Sequence, residues 1–334
     1  TTVADDITSE NIDEVYPQYF PKQNTELEAY QQIEKDLLDA VLYAPDNTPG
    51  NKTLFSKSVA RTLLAKIYAE KPLRDYTKVI QYCDEVKADG FDLVDDFSDL
   101  FGMNAAGTDA KMRNTKESIL EAQFTSGAGN WCTWMFGRDL VNWNNNFTWA
   151  KWVTPSRDLI SAFKQEGDEV RFKESIVYYD CNWSNYYPSD NYPFMYKCRS
   201  ANSSIIKYRY ADVLLLKAEA LIMQDTPDLE GAADIIDEVR DRAKLGALPT
   251  SVRSNKNVLL NALLKERRLE LAFEGQRWFD LVRLDKVEEV MNAVYSKDSG
   301  RKAQIYTFDK NSYRLPIPQS VIDANDKIHQ NPGY

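Results

Sequence analysis

"KERRLELAFEGQRWFDLVRLDK", residues 265–286, places ionisable side chains of both signs inside an apolar helical pattern. On the helix that begins near Asn257, residues at helical spacing share one face: Leu260, Leu263, Leu264, Arg267, Leu271 and Glu274. Arg267 and Glu274 therefore stand where apolar residues belong, and buried charges persist only when they are paired. The stretch predicts either buried ion pairs that stabilise the fold or a pair of catalytic carboxylates.

The spacing of these charges favours ion pairs that stabilise the fold. Opposite charges lie three residues apart at Arg267 and Glu270, Glu274 and Arg277, Arg277 and Asp280, and Asp280 and Arg283. This spacing brings side chains together on a helix. An arginine beside a carboxylate lowers the pKa of that carboxylate and makes it a poor general acid. We therefore predict structural roles for these six residues and no catalytic residue, the alternative being a glycosidase with paired carboxylates.

The composition limits the other classes of function. The chain has 334 residues, of which 43% are apolar and 28% charged, as expected of a folded globular protein. Its net charge of −10 argues against a nucleic-acid partner, because phosphate binding requires a basic surface. His329 is the only histidine and the four cysteines form no CxxC pair, so we predict neither a metal site nor a cofactor. Cys181 and Cys198 either form a disulfide or remain free thiols.

Apolar stripes at helical spacing predict two regions of helical hairpins. In residues 25–90, "TELEAYQQIEKDLLDAVLYAP" starts with a capping box at Thr25 and Glu28, and "SKSVARTLLAKIYAEK" pairs with "RDYTKVIQYCDEVKADG". In residues 208–334, "YADVLLLKAEALIM" pairs with "PDLEGAADIIDEVRDRAKLG", and Gly275 later allows a helix to kink or restart. We predict one mainly α domain over residues 1–334, with tetratricopeptide-like hairpins of the α-α superhelix type.

Residues 91–207 are predicted to form a loop-rich insertion with short strands. "ESILEAQF" is one candidate strand, and "PSRDLISAFKQEG" is the main helix. Flat aromatic rings cover the apolar faces of sugars, while Asn, Asp and Arg satisfy their hydroxyl groups. We therefore predict ligand binding by Trp131, Trp134, Arg138, Asp139, Asn142, Trp143, Asn144, Trp149, Trp183, Tyr186 and Tyr187. The alternative is that these rings pack the loops onto the helices.

With these motifs in view, the chain resembles the SusD/RagB family. The charged stretch and the tail "YRLPIPQSVIDANDKIHQNPGY" resemble its C-terminal signature, and "IEKDLLDAVLYAP", "SKSVARTLLAKIYAE", "ESILEAQF" and "RYADVLLLKAEALI" also fit. The resemblance implies a tetratricopeptide-like scaffold with a grafted loop-rich region. It also implies a non-catalytic lipoprotein of the outer-membrane surface that binds glycans or other nutrients and caps a SusC-like TonB-dependent transporter.

The resemblance also has a gap. The family normally has a lipobox cysteine and further helical hairpins before "IEKDLLDA", and this chain contains neither. The resemblance therefore implies membrane association only through a lipid anchor absent from this chain, and contacts with ligand and transporter that are incomplete in it. Two other functions stay open from the sequence: an α-helical glycoside hydrolase, and a tetratricopeptide scaffold whose groove binds a peptide.

Overall fold

The first helical region follows the predicted hairpins closely. The computed structural model describes residues 20–125, 129–130, 154–180, 187–188, 190–297 and 307–334. Its first helices are α1 (Glu26–Tyr43), α2 (Lys57–Ala69) and α3 (Tyr76–Ala88). The predicted capping box is confirmed, because the Glu28 N–H donates to Thr25 Oγ1 at 3.2 Å and the Thr25 N–H donates to the Glu28 carboxylate at 2.8 Å. Gly90, with a φ of 91°, follows the end of α3.

The insertion contains short elements between the two helical regions. They are α4 (Ser98–Phe101), β1 (Ser118–Ala122), α5 (Arg157–Glu166), α6 (Glu169–Ser175), β2 (Ile176–Tyr179), β3 (Tyr192–Met195) and β4 (Ile205–Arg209). Strands β1 and β4 pair antiparallel, and β2 and β3 form a second antiparallel pair. The predicted strand in "ESILEAQF" and the helix in "PSRDLISAFKQEG" are therefore confirmed.

The second helical region packs directly on the first. It contains α7 (Tyr210–Met223), α8 (Leu229–Arg242), α9 (Thr250–Arg253), α10 (Lys256–Glu270), α11 (Arg277–Arg283) and α12 (Val287–Lys297). Helix α7 lies at the centre and contacts α3, α8 and α10. Small residues on α2, α7 and α8 are fully buried and let the helices approach closely: Ala60, Ala211, Ala218, Ala232 and Ala233. The predicted mainly α fold with packed helical hairpins is confirmed.

The C-terminal end of α10 positions the charged stretch. The helix ends at Glu270, Phe273 and Gly275 adopt φ values of 67° and 78°, and α11 restarts at Arg277. The predicted restart at Gly275 is confirmed, because glycine adopts a left-handed φ at little cost. After α12 the chain ends in a 3-10 helix (Lys310–Tyr313), helix α13 (Gln319–Ala324) and a tail that packs back on residues 20–24.

Candidate functional site: aromatic insertion and buried charge network

Most of the predicted ligand-binding residues lie outside the described part of the chain. These are Trp131, Trp134, Arg138, Asp139, Asn142, Trp143, Asn144, Trp149, Trp183 and Tyr186. Tyr187 is described, and only 9% of its surface is exposed. Its hydroxyl donates to the Pro155 carbonyl at 2.8 Å, and its ring packs edge-on against Tyr192 at 5.6 Å between centroids. This burial favours a packing role for Tyr187 over an open stacking face.

Described residues that border the two aromatic segments in the sequence are hydrogen-bonded to each other. Pro155 closely follows the segment 131–153 in the sequence, and Tyr187 directly follows the segment 181–186, so their hydrogen bond links the residues that border the two segments. Thr154 and Tyr192 add a hydroxyl–hydroxyl bond of 2.7 Å at the same place. These anchors were not predictable from the sequence, because no local spacing relates Pro155 to Tyr187 or Thr154 to Tyr192.

Asn130 anchors the other end of the longer segment. Its backbone N–H donates to the Ala201 carbonyl at 2.8 Å, and its side-chain amide donates to the carbonyls of Ser200 and Ser203 at 3.2 and 2.7 Å. Asn130 is buried, so these bonds replace water and hold the chain in one place. The Cys198 thiol lies 3.4 Å from Asn130 Oδ1. Cys181, the other half of the disulfide considered above, lies outside the described residues.

Glu270 is the centre of a buried charge network. It is fully buried and accepts from Arg209 at 2.5 Å, from Arg171 at 3.0 Å and from Arg242. Burial alone would raise the pKa of Glu270, but Arg242, Arg209 and Arg171 hold that pKa well below its usual range. Glu117 completes the arrangement by accepting from Arg209 at 2.7 Å and from Arg242 at 2.9 Å.

Glu274 joins this network through a buried lysine. Lys197 Nζ donates to the Glu274 carboxylate at 2.6 Å and to the Glu270 carbonyl at 2.8 Å, and Arg209 Nε donates to Glu274 at 2.7 Å. Burial lowers the pKa of Lys197 to about 8, against the opposing effect of Glu274. Lys197 is the residue that follows Tyr196 after β3, so the network reaches the strand that holds Tyr192.

Arg267 organises a second buried group of charges. It is 1% exposed and donates to both Asp280 oxygens at 2.8 and 2.9 Å and to Asp212 at 2.7 Å. Arg283 donates to Asp280 and to Glu219, in each case at 2.8 Å. Burial opposes ionisation of Asp280, but Arg267 and Arg283 lower its pKa. Helices α7, α10 and α11 are thus joined through side-chain ion pairs.

Three of the four predicted local pairs are wrong. Arg267 pairs with Asp212 and Asp280 instead of Glu270, Glu274 pairs with Lys197 and Arg209, and Arg277 donates to the Leu264 carbonyl at 2.8 Å. Only Asp280 and Arg283 pair as predicted. Glu274 and Arg277 do not share a helix, because α10 ends at Glu270 and α11 starts at Arg277. The other two pairs do share a helix, but their side chains meet groups from neighbouring elements instead. The predicted burial and pairing of Arg267 is confirmed.

Among the described residues there is neither a membrane-spanning helix nor a set of metal ligands. In them, no helix combines the length and the apolar character needed to cross a bilayer. Nor do three or more His, Cys, Asp or Glu side chains converge there as a set of metal ligands.

The helical hairpins, the small sheets and the C-terminal tail together define a SusD-type fold. Residues 189–334 match the family model described as SusD family. A SusD homolog from Bacteroides thetaiotaomicron aligns with a TM-score of 0.72 and 22% identity, over 93% of this chain and 71% of that chain. A structure described as a laminarin binding SusD-like protein aligns with a TM-score of 0.65 and 25% identity, over 91% of this chain and 68% of that chain.

A curated relative adds sequence support. SusD-like protein P38 of Formosa agariphila is 43% identical over 99 residues, which are 28% of this chain and 19% of that protein. The matched part therefore spans about a fifth of that relative's length. Over residues 189–334 the chain is similar to the SusD family, and its fold is that of the SusD homolog.

Proposed function

We propose that this chain binds an oligosaccharide without cleaving it, through its two aromatic segments. The observation that carries the proposal is the bond between Tyr187 and Pro155, two described residues that border segments 181–186 and 131–153 in the sequence. Two aromatic segments that start from one anchor can contribute to one surface. The structural relative described as laminarin binding supports a glycan as the class of ligand.

The chemistry assigned to the segments is that of sugar recognition. Trp131, Trp134, Trp143 and Trp149 provide rings of the size that stacks on the apolar face of a pyranose. Arg138, Asp139, Asn142 and Asn144 provide the donors and acceptors that ring hydroxyls need, and Trp183 and Tyr186 extend the surface from the shorter segment. Tyr187 supports the base of the surface through its buried ring.

The state of the acidic residues in the charged stretch supports binding without catalysis. Glycoside hydrolysis requires two carboxylates that face the substrate, about 5 to 9.5 Å apart. Glu266, Glu270 and Asp280 are buried and paired with arginines, so they cannot reach a substrate. A general acid also needs a raised pKa, whereas the pKa of Glu270 lies well below its usual range.

The cellular role is proposed from the family. We assign the chain to the outer surface of the outer membrane, held by a lipid anchor in its precursor, where it passes oligosaccharide to a SusC-like TonB-dependent transporter. The match of residues 189–334 to the SusD family model supports this role. Affinity purification from a membrane extract of the source bacterium is expected to recover a TonB-dependent receptor. Recovery of the protein in a soluble fraction without any such receptor would contradict the assignment.

The binding proposal is tested by calorimetric titration with a panel of oligosaccharides that includes laminarin fragments. We expect at least one of Trp131→Ala, Trp134→Ala, Trp143→Ala and Trp149→Ala to weaken affinity about tenfold, because a stacked ring is lost. Phe279→Ala is the control, since Phe279 is an aromatic residue that is 61% exposed and lies on α11, outside the two aromatic segments. Unchanged affinity in all four tryptophan variants would place the site elsewhere.

A further inference from the structure

A surface cleft lies between the first helix and the C-terminal tail. It has a volume of about 310 Å³, within the range of small-molecule sites. Its walls come from the start of α1, the turn after α2, helix α11, the 3-10 helix and the tail. The lining residues are Glu26, Lys71, Val282, Lys310, Asn311, Tyr313, Arg314 and Pro332. None of them belongs to the elements that anchor the aromatic segments.

The tail wall of the cleft is held in place by hydrogen bonds. Tyr334 Oη donates to the Arg314 carbonyl at 3.0 Å, and Asn331 Nδ2 donates to the Leu315 carbonyl at 2.7 Å. Gly333 has a φ of 95°, and a Cβ added there would lie 2.5 Å from the Asn311 Cβ. Glycine therefore allows the tail to approach the 3-10 helix closely. Hydrogen bonds and close packing therefore fix the position of this wall.

The charges in the cleft favour an anion. Arg314 forms an ion pair with Glu26, and Lys71 forms one with Asp285. Among the described residues, no carboxylate lies within ion-pair distance of Lys310. The side chains of Arg314 and Glu26 are 53% and 52% exposed, and exposed pairs of this kind hold weakly and exchange readily.

We propose that the cleft binds a carboxylated saccharide unit, whose carboxylate replaces that of Glu26 on Arg314. The existing pair already places a carboxylate against this guanidinium, which is planar and suited to a bidentate partner. Lys310 supplies a second positive charge, and Asn311, whose amide donates to Asp309 at 3.4 Å, adds polar lining. Val282, Tyr313 and Pro332 supply apolar surface for the sugar ring. This site is independent of the aromatic segments and of what they bind.

Calorimetric titration at low ionic strength tests the site with D-glucuronate, D-glucose and sulfate as separate probes. Glucuronate is expected to bind at least about tenfold more tightly than glucose, because a charge-assisted hydrogen bond is lost with the neutral sugar. Arg314→Ala and Lys310→Ala are each expected to weaken glucuronate binding about tenfold. Glu26→Gln is expected to strengthen it, since the competing carboxylate is removed.

The controls separate a specific site from general attraction of anions. Lys207→Ala removes an exposed lysine on β4 and is expected to leave glucuronate affinity unchanged. Thermal melting of every variant checks that it is folded. Equal affinity for glucose and glucuronate, equal affinity for sulfate and glucuronate, or no effect of Arg314→Ala would each overturn the proposal.

Discussion

Replacement of Arg267 by alanine tests whether the charged stretch stabilises the fold. Arg267 is 1% exposed, and it donates to Asp212 and to both oxygens of Asp280 at 2.7 to 2.9 Å. The alanine variant leaves two buried carboxylates without their shared guanidinium. Breaking a buried ion pair by removal of one partner costs about 3 to 5 kcal/mol.

The remaining partners set the size of the effect. Asp212 keeps Lys66 at 2.7 Å, and Asp280 keeps Arg283 at 2.8 Å, so neither carboxylate is left alone. We therefore expect the lower end of the range, about 3 kcal/mol of unfolding free energy. For a chain of 334 residues this corresponds to a fall in melting temperature of about 4 °C.

The assay combines urea unfolding with thermal melting followed by circular dichroism. Arg314→Ala is the matched control, because it removes an arginine from an exposed pair and is expected to cost less than about 1 kcal/mol. Oligosaccharide affinity of the folded Arg267→Ala protein is expected to equal that of the parent. Equal melting temperatures in the parent and Arg267→Ala, or loss of binding with unchanged stability, would refute the structural interpretation.

Three further substitutions test the network and the tail. Glu270→Gln is expected to lose about 3 kcal/mol of unfolding free energy at pH 7. Because the pKa of Glu270 is lowered in the folded state, the difference in unfolding free energy between the parent and this variant is expected to narrow as pH falls below 4.5. The same difference at low pH, measured by urea unfolding, would refute this. The pKa of Lys197 is about 8 in the folded protein, so between pH 8 and 10.5 the unfolded chain binds more protons at this lysine than the folded one. The unfolding free energy of the parent is therefore expected to rise by roughly 2 to 3 kcal/mol relative to Lys197→Met over this pH range. A difference in unfolding free energy that does not change with pH would contradict this. Gly333→Ala is expected to cost about 1 to 2 kcal/mol and speed carboxypeptidase digestion of the tail, whereas Gly246→Ala, with open space around it, changes neither.

Local sequence patterns predicted the helical scaffold well. Apolar stripes identified α2, α3, α7, α8 and α10, because each is long enough to show several repeats of the helical period. The capping box at Thr25 and the restart at Gly275 were also predictable, since each depends on side chains within a few positions. The short helices α4 and α6 were not, because they are too short to show a period.

The partners of the buried charges could not be predicted from the sequence. Arg242, Arg209 and Arg171 lie 28, 61 and 99 residues from Glu270 along the chain, and only the packing of helices and strand β4 in the folded protein brings them together. Helical spacing relates residues three or four apart, so it suggested neighbours in the same stretch. The anchors of the aromatic segments were missed for the same reason, since Asn130 bonds to carbonyls 70 and 73 residues away.

The central claim is that this protein binds an oligosaccharide and leaves it intact. The most direct measurement incubates the purified protein with an oligosaccharide that it binds in calorimetry, then quantifies both the recovered ligand and the reducing ends. We predict complete recovery of intact ligand and no increase in reducing ends, in the parent and in Glu270→Gln alike. Release of reducing ends by the parent that Glu270→Gln abolishes would contradict the account.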